Sequence, residues 1–184
     1  MKGDMNRMVK FGVILGAICL TATLVLAATY EFTKPKIDAQ LKTEEQTALK
    51  EIMPEADSFI EDSLGKIDYF KALKGKDLVG YCIKVTGTGY NGYIRIIAGI
   101  DTAGVIKGVK VLEHYETPGL GARIDEIKTG EKEPHFLRQF TGKPAKEIFV
   151  KENIDAITGA TISSAAVTNA IRDTVSEFLS KIKK

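Results

Sequence analysis

Twenty consecutive residues without a charged side chain, FGVILGAICLTATLVLAATY from Phe11 to Tyr30, decide first what this chain can become. As an α-helix rising about 1.5 Å per residue, the run covers roughly 30 Å, the thickness of a bilayer's hydrocarbon core. Lys2, Arg7 and Lys10 precede it, and Lys34, Lys36 and Lys42 follow. Positive charge is therefore nearly balanced across the span and does not orient it. A cleaved signal peptide would use Ala27 and Ala28 as its small-residue site. The apolar run is longer than a usual signal core, however, and the sequence from Glu31 toward Pro35 continues as helix, so the span reads as a retained anchor. Cys19 follows Ile18, a poor residue for lipoprotein cleavage, and reads as a lipid-facing or packing thiol.

The 184 residues leave room for one domain of ordinary size beside the anchor. A net charge of +2, with lysines scattered among acids, gives no basic face for nucleic acid. Cys19 and Cys82 have no evident partner, and His114 and His135 are the only histidines. Neither a disulfide framework nor a metal site is expected.

Ile37 to Met53 reads as a charged amphipathic helix with Leu41, Ala48, Leu49 and Ile52 on its apolar side and Pro54 as its stop. The stretch from Ser58 to Lys76 is weakly patterned. DLVGYCIKV then alternates as a strand, placing Val79, Tyr81, Ile83 and Val85 on one face. YIRIIAGI and GVIKGVKVLEHY are the next strands, joined by a hairpin turn at DTAG, residues 101–104. Turn-rich sequence follows from Glu116, then a short helix opened by Pro134. The chain closes on an amphipathic helix with Val167, Ile171, Val175, Phe178 and Ile182 at spacings of three and four, and a lysine-rich last turn that suits the helix dipole. The expected fold class is α+β, an antiparallel sheet packed with helices, preceded by one transmembrane helix.

GTGYNG, Gly87 to Gly92, matches the dinucleotide pattern G-x-G-x-x-G, but that spacing has meaning only between a strand and a helix. A β-branched strand follows it here, so it reads as a glycine-rich hairpin. Its glycines would still let a flat ligand approach, with Tyr90 and Tyr93 either flanking it or serving as core or edge residues.

DAITGATISS, residues 155–164, gathers four hydroxyls where the closing helix begins. One or two would serve as caps. A helix start is also an anion site, so a phosphate held there with Ser163 and Ser164 as added donors is an equal alternative.

DAITGAT resembles the flavinylation motif D-x-x-(S/T)-G-A-T of FMN-binding domains in membrane redox complexes. By that resemblance Asp155 is the motif acid, Thr158, Gly159 and Ala160 its centre, and Thr161 the residue that carries FMN through a phosphoester. A flavin transferase using FAD as donor would place it, which relieves the domain of needing its own base to activate a weak nucleophile. HYETPGLGAR, His114 to Arg123, is similar to the E-T-P-G-L-G loop that lies near the flavin ring in the same family. Pro118 would stiffen the loop, and the amides at Gly119 and Gly121 would face the ring, with Glu116, Thr117 and Leu120 beside them.

The layout is similar to the G subunit family of Rnf electron-transport complexes, with the C subunit of the sodium-translocating NADH:quinone reductase as a cousin. The resemblance implies an N-terminal tail (1–10), a transmembrane helix (11–30), a linker helix (31–54) and an extracytoplasmic FMN-binding domain (55–184). It implies an electron relay with covalent FMN at Thr161, in contact with Glu116, Thr117, Gly119, Leu120 and Gly121, and the residue readings above add Ser163, Ser164 and Tyr90 as further contacts. The implied setting is a ferredoxin:NAD oxidoreductase that translocates Na⁺ or H⁺ through other subunits. Implied partners are flavin and iron–sulfur centres of those subunits, the transferase and the bilayer, and no nucleic acid. No catalytic residue and no metal ligand is expected. Two other classes stay open: an anchored flavin reductase, which would want an arginine cluster that Arg95, Arg123 and Arg138 do not make, and a flavin-free interaction module.

Overall fold

The computed structural model describes residues 2–131 and 133–182, with side chains from residue 7 onward. Met1 of the predicted tail, and Lys183 and Lys184 of the predicted lysine-rich end, lie outside the described residues. The chain forms two compact units divided after Thr43.

Helix α1 runs Lys2–Ile52 and takes in both the predicted span and the predicted linker, with Pro35 inside it. Along the apolar run no side chain is covered by protein, and Phe11, Leu15, Leu20, Leu24 and Leu26 are each at least 60 % exposed. That surface fits a helix whose solvent is lipid. Its threonines agree with such a setting. The hydroxyls of Thr21, Thr23 and Thr29 donate to the carbonyls of Ala17, Cys19 and Val25 at 3.0, 2.8 and 2.8 Å, so no polar group of theirs is left bare.

The second unit is built on a five-stranded antiparallel sheet in simple sequence order: β1 Ser58–Leu64, β2 Ile67–Lys74, β3 Asp77–Thr88, β4 Tyr93–Asp101 and β5 Ile106–His114. One face carries Phe70, Ala72, Cys82 and Ile97 against Ala48, Leu49 and Ile52 from the end of α1 and Met53 just after it. The other face carries Ile83, Val85, Ile94, Ile96, Ala98 and Ile100 against helix α3, Thr161–Ile182, and against the one-turn helix α2, His135–Arg138. A sheet covered on both faces explains why YIRIIAGI is apolar almost throughout, since Ile94, Ile96, Ala98 and Ile100 serve one side and Ile97 the other. The α3 residues Val167, Ile171, Val175 and Phe178 are all fully buried, at the spacing read from the sequence. The ring of Phe178 stands edge-on to Tyr69 and Tyr81, with centroids at 4.8 and 5.1 Å.

The structure departs from the sequence reading in two places. Ser58 to Lys76, weakly patterned, is the β1–β2 hairpin, turned at Gly65 with a φ of 71° and followed by a second turn at Gly75 with a φ of 62°. Val79 does not share a face with Tyr81, Ile83 and Val85. Ala72 pairs with Gly80 and Leu73 with Leu78, so Val79 is the extra residue of a β-bulge and packs on the α1 side of the sheet. The DTAG turn forms as expected: Asp101 Oδ1 accepts from the N–H groups of Ala103 and Val105, both at 2.9 Å, and Gly104 takes a φ of 90°.

Asp62 on β1 accepts from Lys71 Nζ at 2.7 Å, from the Ser63 N–H at 2.8 Å and from the Tyr69 hydroxyl at 3.0 Å. The lysine above all, then the other two donors, lowers its pKa to about 2. A carboxyl depressed below its unfolded value of about 3.9 stabilises the fold above that pH and loses the contribution as pH falls through about 2. Asp62→Asn is therefore expected to lower the melting temperature at neutral pH, with the difference from wild type closing between pH 4 and 2. A constant offset across that range would show that the charge contributes nothing.

Candidate functional site

The apolar face of α3 fixes where that helix begins, and its first residue is Thr161. Just ahead of it the chain makes a tight turn in which the Ala160 N–H donates to the Ile157 carbonyl at 2.9 Å and Gly159 takes a φ of 81°. Ser164 ties this turn to the helix. Its hydroxyl accepts from the Ile157 N–H at 3.0 Å and donates to the Ala160 carbonyl at 2.9 Å. The Ser163 hydroxyl points elsewhere and donates to Glu116 Oε2 at 2.5 Å. Both serines are buried, whereas Thr158 and Thr161 are exposed. Neither serine accepts from the first-turn N–H groups, so this end of the helix dipole faces outward, open to an anion.

Glu116, just past β5, is only 5 % exposed. Its Oε1 accepts from the backbone N–H groups of Tyr90 at 2.8 Å and Asn91 at 3.2 Å, while Oε2 takes the Ser163 hydroxyl. Its own N–H donates to Nδ1 of His114 at 3.2 Å, and the far nitrogen of that ring lies 3.2 Å from Asp125 Oδ2. His114 is thus a strut behind the loop. Gly89 and Gly121 leave the space that the carboxylate occupies: a Cβ on either would overlap it, and one on Gly121 would also lie 2.6 Å from the Ser163 hydroxyl. One carboxylate joins three segments distant in sequence, namely the Gly89–Gly92 turn, the loop after β5 and the start of α3.

These segments surround an open cleft of about 440 Å³ lined by Tyr90, Glu116, Thr117, Leu120, Gly121, Gly159, Ala160, Thr161, Ile162 and Ser163. That is the size of a small-molecule site. Tyr90, Leu120 and Ile162 present apolar surface at its rim, being 71 %, 50 % and 57 % exposed. The exposed Thr161 hydroxyl and the helix start supply the polar end. Such a cleft suits a ligand with a planar ring and a phosphate.

The cleft brings together most of the residues that the sequence points to. Ser164 lies beneath it, engaged with the turn. Gly119, with a φ of 77° and open space where a Cβ would stand, is on the outer bend of its loop, where the Leu120 and Ala122 N–H groups both donate to the Thr117 carbonyl at 3.2 Å. Asp155 and Thr158 line a separate hollow of about 190 Å³, together with Arg123, Lys128, His135 and Gln139. There Gln139 grips the Asp155 backbone, accepting from its N–H at 2.8 Å and donating to its carbonyl at 3.3 Å. Tyr93 stands edge-on to Tyr115 with ring centroids at 5.0 Å. The Tyr93 hydroxyl, and then Glu113, raise the Tyr115 hydroxyl above the usual phenol range. Among the described residues no cluster of His, Cys, Asp or Glu is placed to hold a metal. Ile162 and Gln139 are the participants that the sequence does not announce. The only available signal for Ile162 is an apolar side chain out of step with the α3 period, and Gln139 gives none.

Two family models match the chain: an FMN-binding domain over residues 89–176 and the RnfG N-terminal region over residues 1–52. The G subunit of the ion-translocating oxidoreductase complex of Methanosarcina acetivorans is 32 % identical over 185 residues, covering 94 % of this chain and 95 % of the relative. The G subunit of the proton-translocating ferredoxin:NAD(+) oxidoreductase complex of Clostridium ljungdahlii is 30 % identical, covering 95 % and 93 %. Its counterpart in the Na(+)-translocating ferredoxin:NAD(+) oxidoreductase complex of Acetobacterium woodii is also 30 % identical, with the same coverage.

A methyl group at position 121 would displace the buried carboxylate from Ser163. Gly121→Ala is expected to destabilise the protein by about 1–3 kcal/mol, the usual cost of overpacking, read by denaturant unfolding. Unchanged stability would mean that the carboxylate has room the structure does not give it.

Proposed function

The chain belongs to the G subunit family of ion-translocating oxidoreductase complexes, and from that premise we propose that it is a single-pass electron-relay subunit between ferredoxin and NAD, carrying FMN covalently on Thr161. The observation that carries this reading is the cleft in which the E-T-P-G-L-G loop meets the start of α3, with Thr161 in its wall. Thr161 would hold the phosphate through its hydroxyl oxygen, at the open end of the α3 dipole. Tyr90, Leu120 and Ile162 would hold the ring, and the backbone of Gly121 would approach its edge. Bound FMN supplies reversible one- and two-electron chemistry.

Attachment would leave the chain's own groups little to do. The Thr161 hydroxyl would attack the FMN phosphorus of FAD within a flavin transferase, forming an O–P bond as the pyrophosphate bond breaks. AMP would leave, and the hydroxyl proton would pass to the transferase. Glu116 is the carboxylate in the cleft, and both its oxygens already accept hydrogen bonds. It is not free to act as the base. The exposure of Asp155 and Thr158, on the far side of the same turn, suits recognition by that enzyme.

The apolar helix would hold the domain on the extracytoplasmic side, where a freely dissociating FMN would be lost. Between Phe11 and Tyr30 the span has no charged side chain, and its three threonine hydroxyls are bonded to the helix itself. Ion movement would therefore belong to other subunits. For a substrate-reducing enzyme the arginines are poorly placed: Arg95, Arg123 and Arg138 lie 3.0, 3.4 and 3.7 Å from Glu113, Glu126 and Glu131, and none lines the cleft.

Intact mass after denaturation, on protein expressed with the transferase, tests the attachment. The expected gain is that of FMN less one water, mapped to the peptide containing Thr161 and absent from Thr161→Val. A gain that survives in Thr161→Val would move the attachment elsewhere. No gain in the wild type, beside a control substrate that the transferase does modify, would end the covalent reading. Asp155→Ala should fold normally and load less flavin, and loading equal to wild type would remove its part in recognition.

A further inference from the structure

We infer that Glu116 is a positioning residue that assembles the flavin cleft before any flavin arrives, and that its charge, fixed in the cleft wall, holds the flavin's reduction potential down. The inference rests on the cleft being the flavin site. Its structural half, however, concerns the bare protein alone.

Three observations carry it. The carboxylate accepts from three donors, the N–H groups of Tyr90 and Asn91 and the Ser163 hydroxyl, and donates to none, which is the pattern of an ionised acid. It is buried, and glycines at 89 and 121 leave it a space that no other residue type would leave. Finally, the segments it ties together are the ones that line the cleft. A charge-assisted hydrogen bond is roughly twice as strong as a neutral one, and removing one partner leaves the others unsatisfied. Without the carboxylate, the Gly89–Gly92 turn and the first turn of α3 would have no common anchor. Tyr90 and Thr161 would then no longer be held toward one ligand.

The electrostatic half follows from burial. A buried negative charge in the cleft wall is less screened than one in open solvent. Reduction adds electrons to the group in that cleft, so the charge opposes it and lowers the potential. The three donors and the helix end offset part of the field and leave its sign unchanged.

Two substitutions separate the halves. Glu116→Gln keeps the shape: its carbonyl oxygen can accept from both N–H groups, and its NH₂ can donate to the Ser163 hydroxyl oxygen. Glu116→Ala removes the tie. Amide hydrogen exchange on the flavin-free, full-length protein should quicken at residues 89–92 and 160–164 in Glu116→Ala and stay close to wild type in Glu116→Gln. Flavin-loaded Glu116→Gln, titrated potentiometrically on the fraction that mass shows to be loaded, should show a midpoint potential more positive than wild type. Wild-type exchange rates in Glu116→Ala would overturn the positioning role. An unshifted or more negative potential in Glu116→Gln would overturn the electrostatic one. If Glu116→Ala fails to fold, exchange in Glu116→Gln still decides, since quickening at those two segments in that variant would contradict a tie made by shape. A wild-type protein that takes up no flavin would defeat the reading of the cleft and leave the exchange result standing.

Discussion

Burial of Val167, Ile171, Val175 and Phe178 between α3 and the sheet is the contact on which the rest of this domain depends. A helix packed through residues at that spacing cannot slide or rotate by one position without lifting its apolar face out of the core. Its first residue is therefore fixed in register with its centre. Thr161, although exposed, stands at a defined place because Val167 and Ile171, six and ten residues further on, are buried.

The sheet turns that fixed point into a site. Because β3, β4 and β5 are neighbours in simple antiparallel order, the turn leaving β3 and the loop leaving β5 emerge at the same end of the sheet, which is where α3 starts. Topology brings three segments near one another, and the Glu116 carboxylate determines how they meet. It is a polar contact inside an apolar frame, tolerated because both of its oxygens find donors there.

Much of this was legible in the sequence for physical reasons that can be named. The α3 period, the DTAG turn and the strand at Tyr93–Asp101 are local patterns, and local patterns survive without knowledge of the fold. The β1–β2 hairpin was not legible, because β1 is an edge strand whose burial alternates weakly and whose charged Glu61 and Asp62 blur the pattern. Val79 was misplaced because a bulge is a property of a pair of strands, invisible in either one alone. In the cleft, Thr161, Glu116 and Leu120 were found through their motifs. What the motifs did not say is that Ser164 belongs to the turn, that Asp155 and Thr158 face a different hollow, or that Glu116 reaches Ser163 across 47 positions of chain. Contacts of that separation leave no trace in spacing.

The four hydroxyls at the start of α3 also separate two demands that would otherwise conflict. Under the proposed attachment, a residue modified by another protein has to be reachable, while the group it receives has to land in a formed cleft. At the first position of a helix the side chain is free of the preceding turn and the backbone N–H groups point outward, so Thr161 is reachable there without disturbing the core. Two residues further on the helix has turned inward, and Ser163 and Ser164 are buried, the first bonded to Glu116 and the second to the turn. The outer pair of hydroxyls is left exposed while the inner pair is buried and bonded. A single hydroxyl could cap this helix, but it could not both hold the turn and remain available, and the surplus in DAITGATISS is that division of labour written into consecutive residues.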